Sequence, residues 1–364
     1  MNPELFYQWK EEVGKRFSEL GKWQAIGLAL LSFGVILARH ASLSRIAEEL
    51  AWIGQIESLS KRFKRWISNP KLDMVLACEL WMQWVWQQYD AQRPLLLVDE
   101  TKLGDRIGVM MVSLAFEQRA IPLVWRCYRA NSASDYPQQG QVLLVWQLIA
   151  RVLAVIPLAC RPIVQMDRGM AQSEAMLRAL KNLKVSYLVR LKGYTCFTSR
   201  RGHTQLLRDM VKPGEYLRCR GKVFKREKQV TTYVMLAWEM GQCEPWCLAT
   251  NDPALSQGLY ARRMWQEESF RDLKSGGWQW EASRIRHPER MERYILVLAL
   301  AYAWMLTLGS VILSSPTPIF SPDCLKRYSV FRLGLRRFKQ VLCQATEHLV
   351  VGLLFAPRPQ LLWT

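Results

Sequence analysis

The spacing of apolar residues changes character at Pro94. Before it, apolar positions recur at helical steps, and residues 1–90 read as all-helical. "SLSRIAEEL" (42–50) and "SLSKRFKRWISN" (58–69) predict two short helices joined by a turn, with Ser42 and Ser58 placed as N-caps. After Pro94, "PLLLVDET" is a short apolar run of the kind a central strand gives, and it ends in carboxylates. "RIGVMMVSLAFE" and "RAIPLVWRCYRA" read as paired strands meeting at Gln118–Arg119. A helix is expected over 139–158, then the strand "CRPIVQMDRG" ending at Asp167, a helix in "AQSEAMLRALKNLK" and a strand in "VSYLVRLKG". From 194 to 245 the pattern alternates as in antiparallel strands, with little helix signal. "PWCLATND" (245–252) is a further strand. Helices follow from about 260, from about 288 and over 329–349.

Two apolar runs raise the question of a membrane. "WQAIGLALLSFGVILA" (23–38) is short for a span, whereas 294–313 is long enough on length alone. Arg284, Arg286, Arg290 and Arg293 precede the second run, and Thr307, Gly309 and Ser310 interrupt it. A helix buried on all sides in a large core is therefore expected, with a membrane anchor as the rival.

Charge narrows the partner. Among 364 residues, 50 Lys+Arg stand against 31 Asp+Glu, a formal net charge of +19 spread along the chain. A folded basic surface facing a polyanion is expected, nucleic acid first. Lys61, Arg62, Lys64 and Arg65 make the second N-terminal helix strongly basic, as a helix lying on DNA would be, or one face of a small solvated bundle. Nine cysteines without regular spacing, and no secretory signal at the start, point to a reduced cytosolic protein. Cys243 and Cys247 are the one close pair, and with no His nearby they read as buried thiols rather than zinc ligands.

The candidate chemistry is carried by carboxylates. Asp99 and Asp167 each end an apolar strand, where an α/β sheet presents residues to a crevice. A carboxylate so placed also serves as a helix N-cap, and Asp167 before "RGMAQSEAML" could play that part. In "YARRMWQEESFRDLK", Tyr260, Arg263, Glu267 and Lys274 would fall within roughly 60° on one α-helix, along about 21 Å of a single stripe. Ordinary i,i+4 ion pairs would give the same pattern. Three converging carboxylates suit Mg²⁺ or Mn²⁺, and two such ions catalyse displacement at a phosphodiester. Arg and Lys beside them would hold phosphate oxygens.

"VDET", "MDRG" and the Tyr260-x2-Arg263-x3-Glu267-x6-Lys274 spacing resemble DDE transposases of bacterial insertion sequences, of the insertion-sequence-4 type that carries a Tyr-Arg-Glu-Lys motif. The resemblance spans roughly residues 94–310. It implies an α/β fold: a ribonuclease-H-like catalytic core with a β-rich insertion, an all-helical N-terminal DNA-binding region and a helical C-terminal region. The corresponding boundaries are 1–90, 91–193 and 246–315 for the two parts of the core, 194–245 for the insertion, and 316–364. By the resemblance, Asp99, Asp167 and Glu267 hold the metal, Arg263, Lys274 and Tyr260 contact DNA, and Trp246 stacks on a base extruded during hairpin formation. Arg190 and Lys192 are further DNA-facing candidates. The implied cofactor is a pair of Mg²⁺ or Mn²⁺ ions. The implied partners are double-stranded DNA, as terminal inverted repeats and target, and a second copy of the chain. The implied location is the cytoplasm, at the nucleoid. A nuclease that cuts without joining, and a silent DNA-binding remnant, are the alternatives.

Overall fold

A computed structural model describes residues 3–130, 140–343 and 349–354, with the side chain of Arg226 left out. Five helices come first: α1 (Pro3–Arg16), α2 (Lys22–Ala38), α3 (Leu43–Glu49), α4 (Ile56–Ile67) and α5 (Met74–Gln87). The two short helices stand where the pattern put them, but their caps differ. α4 starts earlier than expected, with Gln55 rather than Ser58 at its N-cap. Ser42 does occupy the N-cap of α3, yet its hydroxyl pairs with that of Ser44 at 2.9 Å rather than with a backbone N–H. A side-chain cap is made at α5, where Asp73 accepts from the N–H of Val75 (2.8 Å) and of Leu76 (3.1 Å).

Among the described residues the strands form one ten-stranded sheet. β1 (Leu95–Leu103), β2 (Ile107–Phe116) and β3 (Arg119–Arg129) make an antiparallel meander. Glu117 and Gln118 turn the β2–β3 corner with φ of 48° and 61°, the left-handed pair that matches the strand twist of a two-residue hairpin. Pro122 cannot donate to the ladder, and the register shifts opposite it, between Val112 and Ser113. Helix α6 (Gly140–Val155) leads into β4 (Ile163–Met166), and α7 (Glu174–Asn182) into β5 (Ser186–Leu191). β4 and β5 both run parallel to β1. The stretch 194–245 contributes β6 (Cys196–Thr198), β7 (Thr204–Leu206), β8 (Tyr216–Val223) and β9 (Val230–Ala237). These do not stand apart. β10 (Trp246–Thr250) pairs with both β5 and β9 and carries the sheet onward, in the order β3-β2-β1-β4-β5-β10-β9-β8-β6-β7.

The last helices are α8 (Met264–Arg271), α9 (Pro288–Ser314), α10 (Pro322–Arg327) and α11 (Val330–Cys343). Residues 344–348 of the helix expected over 329–349, and 355–364 of the C-terminal region, lie outside the described residues. α9 is long and apolar enough to cross a bilayer, but 94% of its most apolar stretch is buried inside the protein. It is the common core helix. Trp304 on α9 stacks on Trp9 of α1, with ring centroids 4.1 Å apart and planes 6° from parallel. Tyr294 donates to the carbonyl of Ala41 at 2.7 Å. The N-terminal helices therefore share a single hydrophobic core with the sheet.

Candidate active site

Register places the first two carboxylates. β1 and β4 pair in parallel as far as Val98 opposite Met166, so the next residues, Asp99 and Asp167, emerge side by side where the pairing ends. Adjacent strands are spaced about 4.8 Å apart. β1 itself continues to Leu103 against β2, so Asp99 marks the end of the parallel pairing rather than the end of its strand. One strand further, Met166 pairs with Val189, which brings Arg190 into the same row.

The face of the sheet bearing this row carries a second, smaller apolar cluster. Leu95, Leu97, Ile163, Leu188 and Leu248 pack there with Tyr260, and Leu259, Trp246 and Trp265 lie over them. This cluster seats the segment that brings Glu267. Two polar contacts set its height: Gln165 donates from Nε2 to the carbonyl of Leu259 (2.9 Å), and Tyr260 donates to the carbonyl of Met166 (3.2 Å).

The single helical stripe expected over 260–274 is not formed. Gln257–Arg263 is a 3₁₀-helix and α8 covers only Met264–Arg271. The chain then widens into a π-type turn over Asp272–Gly276, where Lys274 leaves helical geometry (φ −83°, ψ −106°). A 3₁₀ turn advances 120° per residue against 100° in an α-helix, so the four residues of the motif do not stay in line. They divide between two roles. Arg263 and Glu267 stay together at the carboxylates. Tyr260 is buried, and its hydroxyl supports the end of β4 instead of facing solvent. Lys274 donates to the carbonyl of Lys102 at 2.7 Å and lies 3.9 Å from Glu281.

Arg263 is the centre of the charge arrangement. Its guanidinium is bonded to Glu267 Oε1 and lies 3.7 Å from Asp99 Oδ2, so one cation bridges the β1 carboxylate and the helical one. Asp99 is pushed up from 3.8 to about 6, first by burial and then by the neighbouring Asp167 and Glu267 charges. The Glu100 N–H, 2.8 Å from its Oδ1, and Arg263 oppose the rise. Asp167 accepts from the Met170 N–H at 2.9 Å, which caps the turn after β4; the N-cap of α7 is Ser173 instead. Among the described residues, no three acidic or metal-ligating side chains converge on a point that could hold an ion. The donor set suits a hard divalent cation, but Glu267 is turned to Arg263.

The raised Asp99 pKa has a consequence for stability with a definite sign. A carboxyl that titrates higher folded than unfolded is penalised when ionised. That penalty is absent below the unfolded value of 3.8 and complete above about 6. A shift of this size corresponds to at most about 3 kcal/mol. In EDTA, Asp99→Asn is expected to melt above wild type near pH 7.5, with the difference closing toward pH 4. An equal difference at both pH values would refute this account of Asp99.

The remaining candidates are scattered over the same end of the sheet. Trp246 is half-buried, its ring edge-to-face with that of Tyr260 at 5.5 Å. Arg190 donates to Glu244 at 3.0 Å, and Arg168 binds the same carboxylate. Lys192 donates to Gln172 Oε1 at 2.7 Å. Far along the chain, Lys61, Lys64 and Arg65 are exposed on α4. Arg62, half-buried, lies 6.0 Å over the ring of the exposed Trp23.

Sequence reasoning missed the group that holds α8 in place. Arg119 donates from Nε to Asp272 Oδ2 at 2.6 Å, and Tyr302 of α9 donates to the same oxygen at 3.2 Å. The Tyr302 hydroxyl also lies 3.1 Å from Ser269 Oγ, which accepts from the Ala120 N–H (2.6 Å). Arg119, Ser269, Asp272 and Tyr302 are all buried. The signal was faint: Asp272 follows Glu267 by five residues, on a flank shared with apolar Leu273.

The transposase DDE domain family model matches residues 98–304, more than half of the 364. The chain belongs to that family. The match opens one residue before Asp99 and takes in Asp167, Arg263 and Glu267. Membership supports a transposase function and implies binding to DNA. No curated protein matches the chain.

Proposed function

We propose that this protein is a metal-dependent cut-and-paste transposase of the insertion-sequence-4 type. It would cleave DNA at the terminal inverted repeats of its element and transfer the freed ends to target DNA, acting as a dimer and passing through hairpin-ended DNA. One observation carries the reading: parallel pairing sets Asp99 and Asp167 side by side, and Arg263 joins Asp99 to Glu267. The meander continued by parallel strands supports a ribonuclease-H-like core, with β6 to β9 as the insertion.

Asp99, Asp167 and Glu267 would hold Mg²⁺ or Mn²⁺, which supplies an activated oxygen nucleophile and stabilises the leaving oxygen. The chain's own residues do the rest. Arg263 bridges two of the acids now, and its guanidinium matches a phosphate as well as it does a carboxylate. Lys274, which now donates to the Lys102 carbonyl at 2.7 Å, would be a second phosphate contact. The apolar cluster under Tyr260 and the Arg119–Asp272 pair keep the helix and the sheet at a fixed separation. With that frame fixed, the rearrangement needed for Glu267 to reach an ion is confined to its parting from Arg263.

The test is a supercoiled plasmid with and without the element's own ends, incubated with the protein in Mg²⁺ or in EDTA. Breaks at the ends, only in Mg²⁺, are expected. Binding to the ends with no breaks in either buffer would leave a DNA-binding remnant as the better account. Breaks without joined products would favour a nuclease.

A further inference from the structure

We propose that the surface formed by α10, α11 and the end of α2 grips the phosphate backbone of duplex DNA without regard to sequence. The proposal rests on the transposase reading and adds a second contact surface, distinct from α4 and from the carboxylates. Three adjoining clefts of about 480, 360 and 690 Å³ open there. Arg336 lines all three and Arg39 lines two. Lys326, Arg327, Arg332 and Lys339 complete the walls, and among the described residues Asp323 is the one carboxylate lining any of them.

All six cations are exposed, and none makes an ion pair among the described residues. Other exposed or half-exposed arginines behave differently: Arg16 pairs with Glu12, Arg93 with Asp252, Arg168 with Glu244 and Arg271 with Glu268. The cluster is also held in shape. Arg336 sits 3.9 Å over the Tyr328 ring, which fixes the plane of its guanidinium while leaving its N–H groups for acceptors. Arg39, at the C-cap of α2 in left-handed geometry (φ 47°), donates to the Leu335 carbonyl at 3.5 Å.

Location ties the surface to the reaction. Gly276 and Gly277 line the middle cleft, and they end the turn that leaves α8, ten residues beyond Glu267. α8 and the single turn after it are all that separates the cleft from Glu267, so one duplex can lie across both. A polyanion of regular charge spacing matches a cluster of unpaired cations, and phosphates carry no sequence information.

The experiment measures anisotropy of labelled duplexes, one bearing the element's end and one scrambled, over a range of salt. Wild type is compared with Arg332→Gln/Arg336→Gln/Lys339→Gln and, separately, Lys326→Ser/Arg327→Ser. These are surface changes, and matching thermal melts would show that the fold is kept. The triple variant is expected to lose at least roughly 10-fold in affinity, equally for both duplexes, with a salt slope shallower by about 2 to 3. Unchanged binding and slope, with wild type still binding and cutting ends, would overturn this proposal alone. So would loss restricted to the end-bearing duplex, or loss of binding to phosphatidylglycerol vesicles with DNA binding intact. A wild type that binds neither duplex would overturn the transposase reading with it.

Discussion

Glu267→Gln is expected to reduce end cleavage in Mg²⁺ by at least roughly 10³-fold, while end binding stays within a few-fold of wild type. Gln keeps the shape of the side chain and one carbonyl oxygen but removes its charge. If Glu267 helps to hold a divalent cation, that charge is part of what offsets charge build-up in the transition state. Losing about 4 kcal/mol of such stabilisation is a thousandfold in rate. The local structure should tolerate the change. Glu267 is 45% exposed, and its one strong partner, Arg263, keeps Asp99 within 3.7 Å. Plasmid cleavage and end binding, measured on the same preparation, separate the two roles. A variant that cleaves at the wild-type rate would remove Glu267 from the site and leave only the two aspartates.

The largest loss of stability is expected from Gly334→Ala. α9 and α11 cross so closely that each places a glycine against the other's backbone. A Cβ on Gly334 would stand 1.9 Å from the Met305 carbonyl oxygen, and one on Gly309 would stand 1.9 Å from that of Val330. Backbone cannot rotate aside as a side chain does, so the helices must separate, and Trp304, Phe331 and Phe338 would lose their packing. Overpacking of a core costs typically 1–3 kcal/mol, and a backbone clash belongs at or above the upper end. A fall in melting temperature of roughly 6 °C or more follows, taking about 2 °C per kcal/mol for a large domain. Gly14→Ala is the control. No atom lies within 4 Å of its Cβ position in α1, so the same substitution should stabilise by about 0.5–1 kcal/mol. Equal melting temperatures for the two variants would show that the α9–α11 crossing gives way more easily than the geometry implies.

These two sites differ in how far the chain announced them. The carboxylates were legible because Asp99 and Asp167 interrupt runs that are otherwise apolar, although a capping role, which Asp167 does play at Met170, accounts for such a charge as well. Glu267 was legible through its spacing to Arg263. Its helix was not, since three residue-per-turn and wider turns leave no mark in a count of charges, and the stripe dissolved where the backbone changed pitch. Tyr260 shows the cost of that error: a polar aromatic on an imagined outer face proves to be buried under the site. The glycine crossing was invisible for another reason. Gly309 looked like an interruption of an apolar run, and only the partner helix explains it. Strand alternation over 194–245 was readable, whereas the entry of β10 between β5 and β9 depends on pairing between distant segments.

The stack of Trp9 on Trp304 has a consequence for how the protein is made. Elongation is slow compared with collapse of a short helical segment, and N-terminal units usually fold first as they leave the ribosome. Here α1 and α2 pack partly on each other and on α5, but the burial of Trp9 and Phe33 is completed only when α9 has been synthesised, nearly three hundred residues later. A chain that stops before residue 288 would therefore leave the α9-facing sides of Trp9 and Phe33 uncovered, and would be a substrate for chaperones and proteases rather than a shorter working protein. Interrupted synthesis should leave no stable fragment carrying the basic helix α4 without the sheet.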